Sequence, residues 1–185
     1  AGLLTSRFIL VGPSPFTGSV TVNANTQLQS NSLLSGDTAA FGVGSTGTGP
    51  ALTMNAGSIL DIYAGNNAGN SPSILIGSLN GVGTLQGENA GNYTFKIGGD
   101  NTSTTFSGVI SGGNGTTSVA VTKVGTGTLT LSGVNTYGGL TTVDTGTLQL
   151  AGGNNRLLPT GNMRINNLGT FDLNGQNQAV NQLTN

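Results

Sequence analysis

The feature that most restricts this chain is a set of very short alternations. In Thr128-Leu129-Thr130-Leu131 the leucines fall on one face of an extended strand and the threonines on the other. Thr147-Leu148-Gln149-Leu150 and Thr170-Phe171-Asp172-Leu173 repeat the pattern. Gly-Gly, Asn-Gly and Gly-Asn pairs stand between such runs and turn the chain. No sustained i, i+3, i+4 apolar pattern competes with them. Gly, Thr, Asn and Ser, which dominate, disfavour helix interiors. The chain is therefore expected to be all-β, with many short strands and no long helix.

Composition narrows how such strands are held. Only 6% of the 185 residues are charged, against roughly 25% in an average globular chain. The net charge of -1 gives no self-repulsion to keep the chain open. Backbone hydrogen bonds and stacked polar side chains must then supply what a thick apolar core would not. With so few charges, stability is expected to depend weakly on pH and salt. The 33 glycines follow no Gly-x-y period, which excludes a collagen helix. Cysteine is absent, so no disulfide staples the fold. The longest apolar run, Phe8-Ile9-Leu10-Val11, is far below the ~20 residues of a membrane-spanning helix. Five scattered basic residues offer no footprint for nucleic acid.

The chain also repeats itself. An offset of 121 lays Phe8 on Leu129, Leu10 on Leu131 and Gly12 on Gly133. The same offset lays Thr21-Val22 on Thr142-Val143. With small changes of loop length, Leu28-Gln29 falls on Leu148-Gln149, Leu60-Asp61-Ile62 on Phe171-Asp172-Leu173, and Ile76 to Leu79 on Val180 to Leu183. We read a single domain, 1–185, with a long repeat at 1–121 and a partial second copy at 122–185. A sandwich should not stop halfway through its repeat, whereas a solenoid can, because each rung touches only its neighbours. Outward Thr and Asn stacked at the ~4.8 Å strand spacing can form ladders. A parallel β-solenoid is the expected architecture. Leu129, Leu131, Val143, Leu148, Leu150, Phe171 and Leu173 are expected to point inward, with Phe8, Leu10, Val22, Leu28, Leu60 and Ile62.

Val121 to Leu150 resembles the autotransporter-associated β-strand repeat, also called the passenger-associated transport repeat. The matching pieces are Lys123, Gly125 to Leu131, Asn135 to Gly139, Thr141 to Val143 and Gly146 to Leu148. The flanks, Ile97 to Gly113 and Leu168 to Leu183, are similar in style. The resemblance implies a right-handed parallel β-helix, exported and displayed at a bacterial surface. No segment of residues 1–185 is expected to form the outer-membrane barrel of a full autotransporter. Two readings stand: a separate secreted subunit, or a passenger fragment.

Chemistry finds little purchase. A β-helix enzyme acting on carbohydrate would need clustered carboxylates, or basic groups with calcium, in a groove. The acids are Asp37, Asp61, Glu88, Asp100, Asp144 and Asp172. Asp61 and Asp172 hold equivalent repeat positions between inward residues, which makes them outward residues of a structural motif. Ile97 to Asn101 has no recurring nine-residue aspartate and reads as a turn rather than a calcium site. The Gly-rich pieces open no helix and end in no Lys-Ser/Thr pair, so they are not phosphate loops. Lys123 stands at the family's usual lysine, where a surface role is expected; an isopeptide crosslink to an Asn is the alternative. We expect no catalytic, cofactor-binding or metal-binding residue and no cofactor.

The function expected is that of a non-enzymatic structural subunit, extracellular or at the bacterial cell surface, stacking head to tail into a fibre or matrix. The alternative is a stalk segment of an autotransporter adhesin. The partner expected is the chain itself, with no nucleic acid and no membrane insertion; any glycan or host surface is left unassigned. Neither end shows a capping segment. Where the second copy has Leu129-Thr130-Leu131-Ser132, the first has Phe8-Ile9-Leu10-Val11, so Ile9 and Val11 replace polar outward residues. Leu4 likewise replaces Gly125. Leu4, Phe8, Ile9 and Val11 at one end, and Val180 and Leu183 at the other, are the residues expected to carry self-association.

Overall fold

The computed structural model describes residues 6–10, 18–30, 48–63, 73–88, 91–112 and 118–185; the side chains of residues 10, 30 and 63 are outside that description. Every regular element among them is a strand, and every strand pair is parallel. The chain opens with β1 (Ser6–Leu10), β2 (Ser19–Val22) and β3 (Thr26–Ser30), then β4 (Ala51–Met54) and β5 (Ile59–Tyr63). Two turns of three strands follow. One holds β6 (Ser73–Ile76), β7 (Ser78–Gly81) and β8 (Thr84–Glu88). The other holds β9 (Asn92–Ile97), β10 (Thr104–Phe106) and β11 (Val109–Ser111). Next come β12 (Ser118–Lys123), β13 (Thr128–Leu131), two long strands β14 (Thr141–Leu150) and β15 (Asn162–Asp172), and a short β16 (Gln182–Thr184).

These strands stack as a parallel β-helix. One sheet runs β1-β3-β5-β8-β11. The other begins as two separate stacks, β2-β4-β7-β10-β13 and β6-β9-β12. The two stacks fuse because β14 is long enough to serve both. Its first residues, Thr141 to Val143, pair with β12, and its last, Thr147 to Leu150, pair with β13. β15 repeats the arrangement on β14, with a register irregularity between Val143 and Thr145. Hydrogen-bonded neighbours in adjacent coils lie 25 residues apart in the middle of the chain and 19 to 24 apart later.

The inward side of each strand builds a continuous apolar column. Leu52 is the register partner of Leu79, and Leu129, Leu148 and Phe171 are successive partners. Leu52, Leu79 and Leu148 are wholly buried. Val22, Leu60, Ile62, Leu131, Val143 and Leu150 are buried too, as the alternation requires. Leu28 and Phe171 are half-buried against the same core. Phe8 and Leu173 depart from the expected inward placement, at 59% and 40% exposed. Phe8 sits on β1, which pairs with β3 alone among the described strands. Leu173 lies just beyond β15, where the chain turns through Asn174 and Gly175, both at positive φ. An inward direction buries a side chain only where another coil stacks on it.

Strand pairing on the first sheet stops at β11, and side chains continue it. Asn135 Oδ1 accepts from the Ile110 N–H at 2.9 Å, and its Nδ2 donates to the carbonyls of Gly133 and Arg156. Gln178 accepts from the Leu157 N–H and donates to the Leu157 carbonyl. Asn154 and Asn155 accept from the N–H groups of Asn177 and Ala179. A primary amide carries a donor and an acceptor like a peptide group, so it can occupy a ladder position. The internal repeat lays β1 of the first sheet on β13 of the second at the offset of 121 and, with changes of loop length, β3 and β5 on the ends of β14 and β15.

Candidate functional site

Three places gather the polar and exposed groups singled out by the sequence. The first is the pair of terminal edges. On β1, Phe8 and Ile9 are 59% and 47% exposed. Leu4 and Val11 lie outside the described residues. At the other end β16 pairs, among the described strands, with β15 alone, and Leu183 on it is 59% exposed. Val180, just before β16, is half-buried against the core. The fold thus sets the expected association residues on its first and last described coils and does not bring the two groups together. Leu168, 77% exposed on β15, belongs with the second group and was missed. Its position after Asn166-Asn167 hides it from an alternation pattern. Ile165, Leu183, Thr184 and Asn185 line an open depression of about 300 Å³ on this last coil.

The second place is the corner around Lys123. The expected surface role is corrected here, because Lys123 is wholly buried. On β12 it follows Val119 and Val121 on the inward face. Its register partners are Ile97 on one side and Val143 on the other, so an ammonium stands in a column of aliphatic residues. The charge is met by backbone alone. Nζ donates to the carbonyls of Val124 at 2.7 Å, Gly125 at 2.8 Å and Thr145 at 3.2 Å. Three N–H donors thus meet three carbonyls, from this coil and the next. Burial pushes the ammonium down to about 8, against the pull of the carbonyls, which favour its charged form. The surrounding backbone must be glycine. A Cβ at Gly146 would stand 2.9 Å from Nζ and 2.3 Å from the Gly125 oxygen, and the residue's φ is +67°. With Nζ held by backbone carbonyls, the corner is a staple between coils.

Tyr137 finishes the same coil. It is buried, and its hydroxyl lies 2.8 Å from Thr141 Oγ1. Burial pushes this phenol up, keeping it neutral.

The third place is a rung that occurs twice. Gln29 Nε2 donates to Asp61 Oδ2 at 3.1 Å, across the β3–β5 register. Gln149 Nε2 donates to Asp172 Oδ2 at 2.8 Å, across the β14–β15 register. These are the Gln and Asp positions that the internal repeat equates. Asp172 faces outward as expected. The Gln149 amide, with the Asn174 N–H, holds its carboxyl below the usual range. Asp61 also points away from the core between Leu60 and Ile62, but it is wholly buried rather than at the surface. Gln29 of β3 and Glu88 of β8 flank it there. Burial, with the Glu88 charge beside it, pushes the Asp61 carboxyl up to about 7. Among the described residues no group of three or more acids is placed to hold a metal ion.

Neither the curated proteins nor the solved structures hold a match to this chain. Residues 121–150, the segment that supplies Lys123, Asn135 and Tyr137, match the family model described as passenger-associated-transport-repeat.

Proposed function

We propose that this chain is a non-enzymatic structural solenoid, exported to the bacterial surface or the extracellular space, that stacks head to tail on further copies of itself. The observation that carries the reading is the state of the terminal edges. Among the described strands, β1 and β16 each pair on one side only, and each exposes large apolar side chains, Phe8 and Ile9 on β1 and Leu183 on β16. Unpaired parallel edges recruit strands. Adding a coil there extends the bonding that already runs through the interior, with side chains giving register. A head-to-tail contact does not close on itself and so propagates.

A second reading is favoured by the passenger-repeat match at 121–150. In it the same edges are covered by further coils of one longer polypeptide, and the segment is part of a surface stalk. Electron microscopy and light scattering of the purified chain separate the two. Filaments are expected for the wild type, and shorter or monomeric species for Ile9→Asp and for Leu183→Asp with unchanged β-type circular dichroism. A wild-type chain that stays monomeric at high concentration removes the stacking reading and leaves the stalk.

A further inference from the structure

We propose that Asp61 and Glu88 share one proton, and that this proton is a latch: its loss on passing from mildly acidic to mildly alkaline surroundings loosens the pairing of β5 with β8. Asp61 and Glu88 stand on paired strands, two register positions apart and so on the same face of the sheet. Asp61 is wholly buried on β5, and its Oδ2 already accepts from Gln29, with a longer contact from Gln27 at 3.5 Å. Its Oδ1 has no hydrogen-bond partner while both acids are ionised. The Glu88 carboxyl stands within hydrogen-bonding reach, on the strand next in the sheet. One Glu88 oxygen, Oε1, accepts from Gln86 Nε2 at 3.0 Å. The amides on both sides present N–H groups, which suit carboxyl oxygens and would repel a metal ion. A proton on Asp61 Oδ1, donated toward Glu88, satisfies the orphan oxygen and removes one of two like charges.

The other charged group facing the pair, among the described residues, is Arg7 on β1. It donates to Gln29 Oε1 and so reaches Asp61 through an amide rather than by direct contact. From β3 come only the neutral Gln27 and Gln29. Tyr93 on β9 donates its hydroxyl to the Glu88 carbonyl at 2.8 Å and brings no charge to the pair. Arg7 therefore offsets only part of the repulsion, and the pair keeps its proton well above the range of an ordinary aspartate. When the proton passes to solvent, two carboxylates face each other on adjacent strands.

The test uses the intact chain. A carbon-13 titration of the side-chain carboxyls should show one of the pair titrating near neutrality; both titrating in the ordinary carboxylate range, about 4, overturns the proposal. The melting temperature should fall between about pH 5 and about pH 8 by roughly 3–6 °C. Asp61→Asn, which supplies a permanent N–H toward Glu88, should flatten that slope, as should Glu88→Gln. A wild-type melting temperature that does not fall, or a slope that persists in both variants, also overturns it. The wild-type titration decides alone if neither variant folds.

Discussion

The early and late coils solve the same bonding problem with different parts. Up to β11 the first sheet supplies a strand in every coil. After it, Asn135, Gln178, Asn154 and Asn155 take the strand's place with their side-chain amides. The core differs in the same way. Where the early coils put Ile76 and Ile97, the passenger-repeat coil puts Lys123 and answers it with three carbonyls. The Gln–Asp rung shows what environment alone does. It is one hydrogen bond in both regions, yet Asp61 is pushed up by burial and Glu88, while Asp172 is pulled down by amide donors. Chemistry that is interchangeable on paper acquires opposite proton affinities from what packs around it.

The sharpest way to break the comparison is at the shared column. Lys123→Ala takes the Nζ donor from three carbonyls and leaves a cavity, and should cost on the order of 4 kcal/mol by denaturant unfolding. Ile97→Ala, at the equivalent place one coil earlier, should cost about 3 kcal/mol through the cavity alone. If Lys123→Ala proves nearly neutral, the late core does not depend on its ammonium.

The next effect concerns the amide ladder. Asn135→Ala removes the side-chain partner of the Ile110 N–H and of the Gly133 carbonyl, while the Arg156 carbonyl keeps the Asn135 N–H, and should cost about 2–3 kcal/mol. Hydrogen exchange should quicken at Ile110 first. Exchange unchanged there would mean the side chain is not continuing the ladder.

A smaller effect separates the two buried charges by pH. A carboxyl raised from 3.8 to about 7 on folding makes the native state bind the extra proton, so its contribution to stability is lost as pH rises through that window. An ammonium lowered from 10.5 to about 8 makes the native state the one that gives up its proton first, so stability rises with pH between those values. Together they place a stability minimum between about pH 7 and 8, readable as the lowest melting temperature in a pH series. A monotonic series would show that one of the two groups is not titrating as its surroundings dictate.

The smallest effect belongs to Asp172. Its carboxyl is lowered, so its stabilisation is present above the unfolded value and lost only as pH falls through the folded one. Asp172→Asn should therefore lower the melting temperature slightly at neutral pH, where the carboxylate accepts from both Gln149 and Asn174, and flatten the acid limb. A clear loss at neutral pH would make this rung as demanding as the buried one.

Most of the architecture was legible because alternation is a local property. Leu129, Leu131, Leu148 and Leu150 are inward for the reason visible in the sequence, and all four are buried. The same alternation, carried through Val119 and Val121, also points Lys123 inward; its place at the family's usual lysine implied a surface role instead. Asp61 was given the right direction but the wrong exposure, because its cover comes from strands 32 residues before it in the rung and from Glu88 after it. The roles of Asn135 and Gln178 depend on a strand being missing from a neighbouring coil, which no local pattern reports. Low overall charge implies a weak response to pH, and the pH series around Asp61 and Lys123 puts that expectation to the test.

The parallel stacking has a mechanical consequence. Bonds between coils run along the solenoid axis, so a pull on the two ends loads them along their own direction and one coil peels at a time. A folded coil contributes about 4.8 Å of height. A released coil of 19 to 25 residues can extend to roughly 60–90 Å. A column built this way would meet a sudden load by paying out line rather than by snapping, and would shorten again as each turn rewinds on the one beneath it.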